Sequence, residues 1–253
     1  MFKKYFPETL IVPSMGNNDG KYHYQGIDLE DKQDFFSAFF EHWFLDHPHN
    51  SQLANIEEIR KTFMFGGYYR VDVDVGLSVL ALNTLYLNKK NNATHQSTEA
   101  ADQLTWLESQ LSSASPASRK FIITNHIYPG AKYDSKSKDL LTPEFNTRYF
   151  DILSKYSDKI IIEGVAHDHY SDLRYHSSVG TSSNSKSFYH SMLVSPGVTP
   201  IDGQNPGVAV FDINDGVASN LVLHFVELER TYGWNSIPED ISVIPFRSVP
   251  ISS

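Results

Sequence analysis

Three short segments place groups that can bind a metal ion or move a proton at points where an apolar run gives way to polar residues. Gly16-Asn17-Asn18-Asp19 follows Leu10-Ile11-Val12-Pro13, Asn125-His126 follows Phe121 to Thr124, and Ala166-His167-Asp168-His169 follows Lys159 to Glu163. Neutral imidazole nitrogen and amide oxygen suit Zn, Mn or Fe without distinguishing among them. A His-x-His pair by itself fits an exposed polar loop equally well, because the chain has 11 histidines to distribute. The ordered trio is more informative, since open α/β sheets gather functional groups just beyond the carboxyl ends of their strands.

Other chemistries are narrowed by what the chain contains. It has no cysteine, so thiolate nucleophiles, disulfides and Cys-type zinc fingers are excluded and a metal site must draw on His, Asp, Glu and Asn. Gly-x-Ser-x-Gly is absent, Ser14 being preceded by Val12 and Pro13, and there is no P-loop. His42, Asp46, His47 and His49 cluster where an aromatic helix is expected to end, which reads as helix-terminal and loop histidines beside Pro48. Asp72 and Asp74 alternate as solvated residues of an edge strand would, and Asn92-Ala93-Thr94 is a glycosylation sequon that matters only in the secretory pathway. Thirty acidic against 21 basic residues give a net charge of -9, which argues against nucleic acid or an anionic membrane as partner.

The elements that must position these groups follow from periodicity. Phe35, Phe36, Phe39, Phe40, Trp43 and Phe44 predict a core-facing helix between Asp31 and His47. A second helix is expected from Ser51 as N-cap through Ile56 and Ile59, and a third over about Thr98 to Leu111. A fourth follows Thr142 as N-cap and Pro143 at the first helical position, with Phe145, Tyr149, Ile152, Leu153 and Tyr156 on one face. Strands are expected at Leu10 to Pro13, Tyr69 to Asn83, Phe121 to Thr124 and Lys159 to Glu163, with Val75 to Leu82 as a buried stretch too short to span a membrane. After Tyr170 come strands without helices, around Leu173, Met192 to Val194, Val208 to Ile213 and Leu221 to Val226, predicting a second, mostly antiparallel sheet. Ser177 to Ser187 reads as a solvated loop. The start has no signal-peptide pattern and opens abruptly on its first expected strand, so the natural beginning is expected to lie upstream.

Seven marks in one order give a resemblance. They are Pro13 to Asp19, Gly66-Gly67-Tyr68-Tyr69, Leu82-Asn83-Thr84, Asp102-Gln103 with Trp106-Leu107, His126-Ile127-Tyr128-Pro129-Gly130, His167-Asp168-His169, and Ser195-Pro196-Gly197-Val198-Thr199-Pro200 with Asn205-Pro206. Over nearly its whole length the chain resembles the calcineurin-like metallophosphoesterases, in particular acid-sphingomyelinase-like phosphodiesterases and endopolyphosphatases. The resemblance implies an α/β fold, a layered metallophosphoesterase β-sandwich flanked by helices. It also implies two metal ions sharing a hydroxide that attacks phosphorus. On the matching positions, Asn17, His126 and His167 ligate one metal and His169 contributes to the other.

Departures from the pattern qualify the expectation. The histidine that protonates the leaving group is replaced by Asn18, with His23 as the substitute acid to consider, and the usual Gly before the histidine pair is Ala166, tolerable if its φ is negative. The family's Asp-x-His and Gly-Asp motifs occur nowhere in the chain. A domain over residues 1–230 lacking its first strands and helices is therefore expected, followed by a carboxy-terminal tail over 231–253. It is expected to hold at most one divalent transition metal, Zn foremost, and to act on a phosphate ester or polyphosphate. The alternative is an inactive fragment or pseudoenzyme that keeps the fold for binding. Self-association, or a partner chain covering the missing region, is expected too. Relatives are secreted, lysosomal or vacuolar.

Overall fold

Where strands alternate with amphipathic helices, the helices must bury their apolar faces on the sheet. A computed structural model describes residues 2–92, 97–114, 119–132, 138–178, 188–228 and 246–250. After a short helical turn α1 (Phe2–Tyr5), α2 (Lys32–Phe40) runs into a π-helical turn (Glu41–Leu45), and a 3-10 turn (Asn50–Gln52) leads to α3 (Ile56–Gly66). Then come β1 (Tyr69–Asp72), β2 (Leu77–Ala81), α4 (Ser97–Ser113), β3 (Lys120–Thr124), α5 (Pro143–Lys155), β4 (Ile160–Val165), β5 (Asp172–Ser178) and β6 (Phe188–Val194). The described chain closes with β7 (Gly207–Asn214), β8 (Val217–Val226) and β9 (Phe246–Pro250).

Strands β1 to β6 form one mixed sheet in the order β1-β2-β3-β4-β6-β5. Its centre, β2-β3-β4-β6, is parallel, while β1 and β5 are antiparallel edges. Parallel neighbours all end on the same side, which brings the loops after β3 and β4 together. The second sheet, β7-β8-β9, is antiparallel and stands against the first across a cleft of about 620 Å³ lined by Ile160, Ile162, Leu173, Phe211, Val217 and Leu221. The result is a mixed α/β sheet with flanking helices, as the resemblance implied. On the helical side Phe36, Phe40, Phe44, Phe63 and Tyr69 make a fully buried aromatic cluster with ring centroids 5.0 to 5.9 Å apart.

Several sequence expectations change here. Leu10 to Pro13 is no strand: among the described residues no backbone pairs with it, and the Asn50 side chain takes the place of a partner, accepting from Ile11 N at 3.1 Å and donating to Ile11 O at 2.7 Å. Tyr69 to Asn83 is a hairpin, because Asp74 accepts hydrogen bonds from Gly76 N and Leu77 N at 2.6 and 2.8 Å and turns the chain, leaving Val75 90% exposed. Ser51 does not cap a helix. Its 3-10 turn stops at Leu53 and α3 begins after Asn55. The expected aromatic helix widens into its π turn, where Asp46 N reaches Glu41 O at 2.8 Å and Phe44 stays packed on Phe40 and Tyr69. Gly67 ends α3 with φ 71°, and a Cβ there would sit 2.8 Å from Phe36 Cε1. Strands β5 and β6 join the first sheet, so only the last strands build the second. Residues 246–250, inside the expected tail, pair with β8. Residues 179–187 of the serine loop, and Ala93 and Thr94 of the sequon, lie outside the described residues.

Candidate metal centre

The three chain segments singled out by the sequence converge. Asn17 Oδ1 lies 2.6 Å from His126 Nε2 and 2.9 Å from His167 Nδ1, and those two nitrogens are 3.3 Å apart. His126 follows the end of β3 and His167 the end of β4, so the parallel ladder places them side by side; beyond it, Ala166 N still bonds His126 O at 3.2 Å. Asn17 arrives from the irregular first segment, which Tyr69 anchors by donating its hydroxyl proton to Pro13 O.

Two of the four histidine candidates sit on unusual backbone. His167 has φ 77° and His169 φ 61°, a region where residues other than glycine are uncommon. Asp168 N reaches back to Ala166 O at 3.0 Å, which makes His167 the apex of a tight γ-turn. Ala166 is not among the positive-φ residues, so the missing glycine costs nothing there. His169 is held by Gly197 N, 3.3 Å from its carbonyl oxygen, and packs on Gly197, where a Cβ would meet its Cγ at 3.2 Å. Its Nδ1 is buried without a hydrogen-bond partner, and no hydrogen bond joins it to the trio among the described residues.

The two candidate proton donors fall at the same place. Asn17 Nδ2 donates to Asn18 Oδ1 at 3.1 Å and to His23 Nε2 at 2.7 Å, so the neutral His23 ring carries its proton on Nδ1. Asn18 and His23 are both exposed. His42, Asp46, His47 and His49 do not approach the centre: His42 pairs with Asp46 at 3.6 Å, and the buried His47 accepts from Asn50 N at 3.3 Å.

The remaining marks of the resemblance are supports. Thr84 Oγ1 accepts from Ile127 N at 3.0 Å, just past His126, while Gln103 bonds both backbone groups of Asn83 at 2.7 and 2.9 Å. Beneath the two strand ends lies a network that periodicity gave no sign of. Glu163, fully buried on β4, binds His190 at 2.7 Å, the Tyr149 hydroxyl at 2.7 Å and Asn125 Nδ2 at 2.5 Å. Asn125 directly precedes His126. Tyr24 was also missed. At φ 65°, its hydroxyl lies 3.3 Å from His167 Nε2, and that contact fixes the ring from behind.

Electrostatics keep both imidazoles neutral. Burial, then the neighbouring His167 and His169, push His126 down to about 4; burial, then Lys90 and Lys132, do the same to His167. Neutral rings with one lone pair each, plus an amide oxygen, form a donor set for a divalent ion. Ligands about 2.1 Å from a common ion stand roughly 3.0–3.4 Å apart at angles of 90–109°, close to the separations found here. Among the described residues no three His, Asp or Glu side chains gather at such distances, so the centre depends on Asn17 as a member. The nearby carboxylates are engaged elsewhere. Asp19 Oδ2 accepts from Gly16 N at 2.6 Å, and Asp168 accepts from the Tyr128 hydroxyl and faces Lys132 at 3.9 Å.

No protein-family model matches the chain. Among curated proteins it is 28% identical over 256 residues to "Sphingomyelinase phosphodiesterase C" of Dictyostelium discoideum, covering 95% of this chain and 52% of that protein. It is 29% identical over 217 residues to the human "Cyclic GMP-AMP phosphodiesterase SMPDL3A", covering 81% and 44%. The mouse "Acid sphingomyelinase-like phosphodiesterase 3b" is 25% identical over 246 residues, covering 91% and 50%. The chain thus spans about half the length of the curated relatives it matches. Matched over 81 to 95% of its own length in these three comparisons, the chain is a homologue of the acid-sphingomyelinase-like phosphodiesterases.

Proposed function

We propose that the chain carries a metal-dependent centre for hydrolysing phosphodiester or phosphoanhydride bonds, with one divalent transition ion, Zn foremost, held by Asn17 Oδ1, His126 Nε2 and His167 Nδ1. The phosphodiesterase names of the relatives support the reaction class. The observation that carries the reading to these residues is the meeting of three neutral donors from three separate segments within 2.6 to 3.3 Å. When bound, such an ion polarises a phosphoryl oxygen and makes a water molecule acidic enough to supply hydroxide.

The other work belongs to the chain's own groups. Tyr24 holds the His167 ring through Nε2, while Asn18 and His23 pin the Asn17 amide so that its oxygen faces inward. His169, its Nδ1 buried and without a partner, is the proposed additional ligand at the rim. His23 is the proposed substitute acid toward a leaving oxygen; with its Nε2 accepting from Asn17 at 2.7 Å the ring is a neutral imidazole, so it can serve only when the Asn17 amide turns away and both ring nitrogens carry protons.

With no carboxylate at the centre among the described residues, two closely spaced cations would repel each other unscreened, so at most one ion per chain is expected. Titration calorimetry with Zn²⁺ should give that stoichiometry and lose the binding in His126→Ala and His167→Ala. Cleavage of bis(p-nitrophenyl) phosphate should fall in parallel. Two tightly held ions, or binding indifferent to both substitutions, would overturn the assignment, and Zn binding without any cleavage would favour the noncatalytic alternative.

A further inference from the structure

We propose that Lys90, stacked on Tyr24 beside the metal-ligand trio, forms an anion subsite that receives a second phosphate group of a phosphoanhydride substrate. The inference rests on the phosphoester reading above for the position of the scissile bond. Its own support lies in three independent features.

The first is the ladder of contacts. Lys90 Nζ stands 3.9 Å from the centroid of the Tyr24 ring, and that ring meets His167 edge-on at 5.5 Å, its hydroxyl 3.3 Å from His167 Nε2. One aromatic ring therefore separates an ammonium from the centre. The second is backbone strain. Tyr24 holds φ 65°, costly for an aromatic residue, and it is locked there by Tyr24 N to Asn17 O at 3.1 Å and by Gln25, which bonds Lys90 O at 2.7 Å and Asn92 N at 2.9 Å. Strain maintained by surrounding bonds points to a required position for the ring and for the loop carrying Lys90.

The third is the state of the charge. Lys21, Lys32 and Lys155 answer carboxylates at 2.7 to 3.1 Å, and Lys159 donates to two backbone carbonyls at 2.6 Å. Lys90 is exposed and makes no ion pair among the described residues, having a π face beneath it instead. Lys132, the other lysine acting on His167, is partly compensated by Asp168 at 3.9 Å, which leaves Lys90 as the stronger attractor of the two.

A chain with a net charge of -9 repels polyanions unless cations are placed where they dock. A diester of a neutral or cationic alcohol brings a single negative charge, already answered at the centre. An oligophosphate brings further negative charge, which an ammonium one aromatic ring from the centre can answer.

The test uses the full chain in EDTA, so that neither metal binding nor chelation by the probe contributes. Calorimetry at low salt should show tripolyphosphate binding at least tenfold more tightly than phosphocholine, weakening as salt is raised. Lys90→Met should weaken tripolyphosphate about tenfold, Lys90→Arg should keep it within about twofold, and phosphocholine should respond to neither. Circular dichroism of both variants should match the parent. Equal affinities for the two probes, or tripolyphosphate binding unchanged in Lys90→Met, would overturn the subsite. Zn binding without a Lys90-dependent preference sinks this inference alone, and a Lys90-dependent preference without Zn binding sinks the metal assignment alone.

Discussion

In the proposed centre, Asn18 is the residue that would limit which leaving groups can be served. Its amide has no proton to give, its oxygen already accepts from Asn17, and the adjoining His23 accepts through Nε2. Losing general-acid assistance costs about 100-fold to 10,000-fold when the leaving group is an alkoxide, whereas a phosphate leaves with little help because its second ionisation lies near pH 6. Asn18→His should therefore raise kcat/KM for an alkyl phosphodiester, relative to a phosphoanhydride, by at least about tenfold. An unchanged ratio, measured on both substrates with metal supplied, would show that another group already protonates the alcohol. At this scale the sequence was informative where chemistry is local. Asn17, His126 and His167 could be named because each stands at the end of an apolar run. Tyr24 could not, since a tyrosine in a polar loop carries no mark of the positive φ that turns its ring toward His167. Nor could Glu163, whose β4 neighbours read only as a buried strand, because its partners Asn125, Tyr149 and His190 come from three other elements.

Among the elements, the β1-β2 hairpin shows how a short polar contact redirects a strong hydrophobic pattern. Tyr69 to Asn83 reads as one strand by composition, yet Asp74 folds it back, and the residues expected to be solvated become hairpin chemistry. Asp72 Oδ1 accepts from Arg70 and Ser78 at 2.6 Å and from Arg119 at 3.1 Å, which ties the hairpin to the start of β3. Burial alone would raise its pKa, but the Ser78 hydroxyl and the Arg70 and Arg119 guanidinium groups outweigh burial and hold it below the ordinary value. The stabilisation is thus present above the unfolded-state pKa of about 3.9 and disappears as pH falls through the lower folded-state value. Asp72→Asn should lower Tm at pH 7 by about 2–4 °C, corresponding to about 1 kcal/mol for a half-exposed cluster in a chain of this size. The difference from the parent should shrink toward zero as pH falls through the lowered folded-state value, below which both carry a neutral side chain; a gap that persists in strong acid would mean that the change acts through packing. The amphipathic helices α4 and α5 were readable to within a few residues, because their apolar faces and the Thr142-Pro143 start are properties of contiguous sequence. The π turn and the false helix start at Ser51 were not, since both are set by contacts with the aromatic cluster and with Asn50.

For the whole molecule, the distribution of apolar surface sets the expectation of self-association. Leu173 and Tyr175 on the edge strand β5, and Val208, Val210, Val217 and Val249 on the second sheet, are 47 to 62% exposed, and of these Leu173 and Val217 line the cleft between the sheets. Edge strands with such faces invite pairing with a second copy. Sedimentation velocity should show a concentration-dependent dimer or larger species, and Leu173→Lys with Val210→Lys should shift it toward monomer; a monomer at every concentration would remove this expectation. The division into α/β and antiparallel parts could be read from the order of elements, but not the passage of β5 and β6 into the first sheet, which depends on pairing between distant strands. That same long-range character governs how the centre comes into being. Asn17 meets His126 across 109 residues and His167 across 150, so no donor pair involving Asn17 exists until its irregular segment has docked beside the ends of β3 and β4. Closing a loop of that length costs on the order of 4 kcal/mol in chain entropy, which places the trio among the last features to assemble during folding. A cation bound at the proposed centre could not nucleate the fold as it does in a zinc finger; it would act afterwards, as a clasp. Its release would be felt first in the clock of the molecule, as faster amide exchange in β3 and β4, whose protected hydrogens open only with the sheet itself.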